Sequence, residues 1–125
     1  MPLTAVVMAI KQYHAARIYS GEKRFEFRRL RPRFDLPAKI YIYEPTPVRM
    51  VSGFFYASAM FDVDGDIATY ESDVSESSTV AEYLAGGRRP TAIRVDDPCR
   101  LSRPVPLGSF GVTAAPQSYV YVDAE

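Results

Sequence analysis

Short apolar runs recur along the chain, and their lengths are typical of β-strands. Residues 5–10 are continuously apolar, whereas residues 23–29 alternate, so that Phe25 and Phe27 face one way and the charged side chains the other. Residues 48–61 are apolar on both faces and are interrupted by Gly53, which is typical of a curved strand with a bulge or kink. The pattern predicts six strands, at residues 5–10, 23–29, 40–43, 48–61, 91–95 and 119–122.

Two segments carry helical patterns instead. Apolar residues recur every three or four positions over residues 11–20, starting at Tyr13, and Gly21 follows where a helix commonly ends. Residues 79–82 have the form of a capping box and predict a second short helix. Since strands and helices do not alternate as repeating units, we predict one mainly β, α+β domain over residues 1–125, a small β-barrel with short helices capping its openings.

Charge is distributed unevenly although the net charge is zero. Residues 11–33 hold eight Lys or Arg against two Glu, a net charge of +6, and residues 30–39 read as a basic loop with Pro32 and Pro37. Residues 60–85 hold seven acidic residues and no Lys or Arg. A basic patch on a neutral protein indicates a local anionic partner, while the alternative is that the two segments face each other or only solvate the surface.

The single cysteine and single histidine restrict the chemistry. Cys99 has no partner for an internal disulfide, and we interpret it as a small, partly buried apolar side chain rather than a reactive thiol. One histidine removes most zinc and serine-hydrolase schemes, so no metal and no cofactor is expected. No run approaches the ~18 apolar residues of a membrane helix, and the N-terminus lacks a basic signal region. We predict a cytoplasmic protein with no membrane partner.

Three segments carry short motifs that cover most of the chain outside its acidic middle. Residues 9–28 contain Ile-Lys-x-x-Tyr followed by Gly-x-Lys-x-x-Glu-x-Arg. Residues 40–54 contain Ile-Tyr-Ile-Tyr, Thr-Pro-Val and Val-Ser-Gly-Phe, and residues 104–121 contain Pro-Val-Pro-Leu and Pro-Gln-Ser-Tyr-Val-Tyr. In this order and spacing they resemble the ASCH (activating-signal-cointegrator homology) family of PUA-like domains, in particular a bacterial and phage branch that closes on Pro-Gln-Ser-aromatic.

The resemblance implies a PUA-like β-barrel with a cleft between the first helix and the barrel strands. In related domains that cleft takes an RNA or a modified nucleoside. The residues that the resemblance places in a nucleic-acid-binding cleft are Lys11, Lys23, Glu26, Arg28, Tyr43, Gln117 and Ser118.

Each of these residues also has a structural interpretation. Lys11, Lys23 and Arg28 either hold phosphates or, in the structural interpretation, only form a solvated basic strand face. Glu26 has three possible roles: it accepts a hydrogen bond from a base edge, it acts as a general base, or it orders the arginines in an ion pair. Tyr43 precedes a proline-rich turn and is expected near the rim. Gln117 and Ser118 contact a ligand or close the barrel by bonding backbone groups.

Three functions follow from these observations. The first is a non-catalytic module that binds RNA or a modified nucleotide in the cleft. The second is a hydrolase that acts in the same cleft. Of these two functions, we prefer the non-catalytic module. A ribonuclease would use Lys23 and Glu26 as an acid–base pair. An amidohydrolase of acylated cytidines is the other enzyme that the resemblance suggests. Such enzymes carry a nucleophilic Thr where Glu26 stands, and a carboxylate cannot replace that nucleophile. Glu76 and Glu82 would have to take the place of their distant catalytic Glu. The third function is a protein-interaction domain whose acidic residues 62–82 mimic nucleic acid.

Overall fold

The structure, a computed structural model, describes residues 3–63 and 90–123. The predicted mainly β, α+β fold is confirmed. The elements are β1 (Thr4–Ala9), α1 (Gln12–Ser20), β2 (Phe25–Arg28), β3 (Ala38–Glu44), β4 (Met50–Ala57), β5 (Met60–Asp62), β6 (Thr91–Arg94), β7 (Asp96–Val105), a 3-10 helix (Leu107–Phe110) and β8 (Tyr119–Tyr121). The second predicted helix, which would open with the capping box at residues 79–82 and end at residues 86–87, lies outside the described residues, as do Glu76, Glu82 and most of the acidic stretch at 62–82.

The described strands form two sheets. The larger sheet has the order β7–β4–β3–β1–β8, in which β1 and β3 are parallel and the other neighbours antiparallel. The smaller sheet has the order β2–β6–β5 and is antiparallel. Because parallel neighbours need a crossover connection, the chain between β1 and β3 carries α1 over one face of the larger sheet, where it contacts β3 and β7.

Both faces of the larger sheet are buried, which explains the continuous apolar run of β1. On one face, β1 and β3 pack against α1 and the smaller sheet through Val6, Met8, Ile40, Ile42, Ala15, Ile18 and Ile93. On the opposite face, side chains of the sheet pack against Leu107 and Phe110 of the 3-10 helix; these sheet residues are Val7, Tyr41, Tyr43 and Val120. The larger sheet therefore forms the middle layer of the described fold.

The apolar face of α1 is narrower than its sequence predicts. Ala15 and Ile18 are fully buried, but Tyr13 is 54% exposed. The helix ends, as predicted, at Gly21, whose φ of +85° is a left-handed conformation that glycine adopts without strain. Within the described ranges, no helix has both the length and the apolar composition needed to cross a bilayer.

A bulge in β4 joins the helix to the sheet. The pairing of β4 with β3 shifts by one residue at Ser52, next to the glycine where a bulge is predicted. The buried Ser52 hydroxyl and the Tyr19 hydroxyl of α1 share a hydrogen bond of 2.7 Å. Burial raises the pKa of Tyr19 to about 12, so this phenol stays neutral even in alkaline solution in which an exposed tyrosine would ionise.

The strand prediction differs from the structure at two places. β7 is not predicted, because it is an edge strand interrupted by Pro98 and Pro104 and its side chains are mostly exposed. Residues 48–61 form two strands, β4 and β5, that belong to different sheets. The interpretation of Cys99 as partly buried is wrong, since this edge strand leaves it exposed.

Gly53→Ala should destabilise the protein, because the added methyl group would meet the Cys99 carbonyl oxygen and the Tyr19 side chain. The carbonyl belongs to the backbone of β7, which pairs with β4, so moving it away would disturb the pairing of the two strands. We expect the free energy of unfolding, measured by urea denaturation, to fall by about 1–3 kcal/mol. Gly108→Ala is the matched control, because no atom lies within 4 Å of its added methyl group. Equal losses in the two variants would contradict a steric origin.

Candidate functional site

A cleft of about 550 Å³ lies between α1, β2 and the segment before β8. Its volume falls in the range of sites that hold small molecules. The polar lining residues are Lys11, His14, Glu26, Arg28, Arg29, Gln117 and Ser118, and apolar surface comes from Ala9, Ile10, Phe27, Leu30 and Pro45. The cleft thus combines cationic walls with apolar contact area.

Backbone hydrogen bonds at the end of β1 hold the cleft walls together. The Ala9 N–H donates to the Ser118 carbonyl oxygen at 2.9 Å, and the Ile10 N–H donates to the Tyr43 carbonyl oxygen at 2.9 Å. The Arg28 guanidinium donates to the Ala9 carbonyl oxygen at 2.7 Å. Segments that are far apart in sequence therefore meet at two consecutive residues, immediately before the exposed Lys11.

β2 turns its charged face inward. The alternation predicted for this strand is present, but Glu26 is only 6% exposed and Lys23, just before the strand, only 4%. Glu26 lies opposite the buried Ile93 of β6. Phe25 and Phe27 lie on the other face and pack against a small separate cluster.

Glu26 sits between two cations. Its Oε2 lies 2.9 Å from Arg28 Nη2, and its Oε1 lies 3.5 Å from Lys23 Nζ. Lys23 Nζ also lies 5.4 Å from the ring centroid of Phe27. Buried charges are tolerated where they are paired and hydrogen-bonded. This arrangement favours the ion-pair interpretation of Glu26, which holds Arg28 in place at the cleft.

The structure brings most of the predicted site residues together. The cleft is lined by Lys11, Glu26, Arg28, Gln117 and Ser118. Lys23 does not line it and acts on it through Glu26.

Tyr43 does not lie at the rim as predicted, because its side chain is 5% exposed and packs in the apolar cluster on the 3-10 helix side of the larger sheet. Its direction follows from the alternation of β3, which puts Tyr41 and Tyr43 on the same face. Only the carbonyl oxygen of Tyr43 helps to shape the cleft, through the hydrogen bond from Ile10.

Sequence reasoning missed His14, Arg29 and Leu30 as cleft residues. His14 follows Lys11 by three positions, a spacing that puts both on one side of a helix start. This spacing could have identified His14 as a neighbour of Lys11 in the cleft. Arg29 and Leu30 belong to the loop after β2, and periodicity says nothing about where loop side chains point.

Comparisons with known proteins place the chain among relatives. No protein-family model matches the chain. It is 35% identical over 96 residues to an "ASCH domain-containing ribonuclease" of Zymomonas mobilis. The matched residues make up 73% of this chain but only 64% of that protein. The crystal structure of ASCH from Zymomonas mobilis has a TM-score of 0.75 and 29% identity, covering 95% of this chain and 87% of the other. The chain belongs to the ASCH family. Crystal structures of two mutants of the Zymomonas mobilis ASCH protein also have TM-scores of 0.75 against this ASCH domain.

Lys23→Met should destabilise this ASCH domain, because it removes one cation from the buried Glu26 carboxylate. We expect the free energy of unfolding to fall by about 3 kcal/mol in urea denaturation. Glu22→Gln is the control: it neutralises one member of the Arg17–Glu22 pair, whose glutamate side chain is 58% exposed, and should cost less than about 1 kcal/mol. If the two variants lose the same stability, solvent screens the Lys23–Glu26 pair.

Proposed function

We propose that this ASCH domain binds RNA in the cleft between α1 and β2. The observation that carries the proposal is the convergence of Lys11, Arg28 and Arg29 on one cleft. Glu26 is the single acidic residue among the described residues of the lining, and Lys23 and Arg28 oppose its charge. Cations grouped in this way attract phosphates and gain affinity from the release of counterions.

The shape of the cleft supports an unpaired nucleotide as the bound unit. A volume of about 550 Å³ accommodates a nucleotide, and Phe27 and Leu30 provide apolar surface for a base. Gln117 and Ser118 are exposed on the wall and supply hydrogen-bonding groups for base edges. The name of the relative as a ribonuclease supports RNA as the partner. A modified nucleoside would use the same contacts and is the competing ligand in the test.

Lys11→Ala combined with Arg29→Ala should weaken RNA binding, because both exposed cations line the cleft and neither belongs to the buried ion pairs. We expect the affinity for a labelled single-stranded 12-mer, followed by fluorescence anisotropy, to fall about tenfold at low salt. The slope of log affinity against log salt should fall by about 0.7 for each lost contact.

Arg24→Ala combined with Arg103→Ala is the matched control, since it removes the same charge at exposed positions outside the cleft. Equal weakening by both pairs, or no RNA binding by the wild type at low salt, would refute the proposal. Displacement of the RNA by low concentrations of a free acylated cytidine would instead identify a nucleoside as the ligand.

A second candidate function is RNA cleavage in the same cleft. It is favoured by the ribonuclease name of the relative and by the presence of His14 on the wall. Cleavage by the ribose 2′-hydroxyl needs a base to take its proton, an acid to protonate the departing 5′-oxygen, and cations near the phosphate. Histidine commonly transfers such protons, and Lys11 and Arg28 supply the charge. Here Lys23 positions Glu26 and is not itself a proton donor to RNA.

His14→Asn should abolish cleavage while RNA binding persists, because asparagine keeps hydrogen-bonding groups but does not transfer protons near neutral pH. We expect the cleavage rate of labelled RNA to fall at least about 100-fold, with anisotropy showing binding within about twofold of the wild type. Glu26→Gln tests the carboxylate in the same assay. If the RNA stays intact after incubation with the wild type, with and without divalent metal, this second function is ruled out and only RNA binding remains.

A further inference from the structure

A second cavity of about 760 Å³ adjoins the cleft. It is lined by Leu30, Arg31, Pro32, Arg33, Phe34, Ser118 and Tyr119. Leu30 and Ser118 also line the cleft, so the two cavities share a boundary. A ligand longer than one nucleotide can therefore pass from the first cavity to the second without leaving the surface.

Leu30 stands at that boundary. It is 79% exposed, more than any other large apolar side chain in the described part of the chain. Isolated exposed leucines are ordinary, but this one lines both cavities and lies between Arg29 and Arg31. Proteins that bind the minor groove of DNA use exposed apolar side chains, leucine among them, as wedges that insert between neighbouring bases and unstack them.

The floor of the second cavity is aromatic and held in place. Phe34 is 5% exposed and packs edge-to-face against Tyr119, with ring centroids 5.2 Å apart. The Arg33 backbone N–H donates a hydrogen bond of 3.1 Å to the Tyr119 hydroxyl, which ties the loop to β8. A base entering this cavity would meet the partly buried Tyr119 ring, which Phe34 supports from the core, and single-strand binding proteins use such held aromatic rings as stacking platforms.

The rim of the second cavity carries cations that are available to phosphates. Arg33 is exposed, and Arg31 forms a 3.3 Å ion pair with Asp62 in which both side chains are more than half exposed. Such an exposed pair contributes little stability, so a phosphate can displace Asp62 at low cost. Basic and apolar residues alternate from Arg29 to Phe34, which places a cation beside each apolar contact.

We infer that the two cavities form one bipartite site for single-stranded RNA, in which Leu30 inserts between two adjacent bases and the Arg31–Arg33 loop holds the phosphate beyond it. The inference rests on the proposed RNA binding in the cleft and specifies its ligand as a strand of at least two nucleotides. A free nucleoside would fill only one half of the site.

Oligouridylates of one, two, three and six nucleotides, competing with a labelled hexamer, test the second cavity. For the wild type, affinity should rise about tenfold between one and three nucleotides. Arg33→Ala should remove most of that rise and leave mononucleotide affinity within about twofold, whereas Arg103→Ala, an equal loss of charge outside both cavities, should change neither. Asp62→Asn should strengthen binding of the trimer and not of the mononucleotide, because it frees Arg31.

A hexamer containing 2-aminopurine tests the insertion of Leu30, since this base brightens when it is unstacked. Its fluorescence should rise on binding to the wild type and to Leu30→Met, and should not rise with Leu30→Ala. Hexamer binding with no fluorescence rise and no dependence on Arg33 would overturn the bipartite site and leave cleft binding intact. Absence of hexamer binding by the wild type would overturn the proposed function itself.

Discussion

A buried carboxylate between two cations is the interaction on which the cleft depends. Glu26 is almost fully enclosed, and its two oxygens approach Lys23 and Arg28. Removing a carboxylate from water is costly unless its charge is compensated, so this stretch of chain has to keep both cations close. Arg28 in turn binds the carbonyl oxygen of Ala9. One electrostatic requirement thereby links the smaller sheet to the end of β1, where the helix and the cleft begin.

The cleft is a product of topology as well as of charge. The parallel pairing of β1 and β3 requires a crossover, and that crossover contains both α1 and β2. The same crossover carries the residues of the basic segment that line the cleft. β8, which pairs with the other edge of β1, brings Gln117 and Ser118 to the same place. Cleft residues separated by about a hundred positions in sequence thus surround the last residues of β1.

Membership of the ASCH family establishes the fold, whereas function is a property of the site. The relative that carries a ribonuclease name extends beyond the matched region. The chemistry of this chain therefore has to be argued from its own residues. In the proposed site, the cationic wall would bind phosphate, the apolar surface would contact bases, and the second cavity under the basic loop would hold a further nucleotide of the strand. His14 is the residue whose substitution would distinguish the proposed binding module from the proposed nuclease.

The sequence by itself determined the strands at 5–10, 23–29, 40–43, 91–95 and 119–122, the helix ending at Gly21, and the charge asymmetry, because each depends on local periodicity, turn chemistry or composition. Five of the seven predicted site residues do line the cleft, and the motifs of the family resemblance are what marked them. β7 was beyond local reasoning, because an exposed edge strand with prolines has no apolar alternation. Only the tertiary structure decided that the charged face of β2 is the buried one, that Tyr43 points into an apolar cluster, and that Leu30 lines both cavities. Alternation specifies that two faces differ, but which face is covered depends on the elements that pack against it.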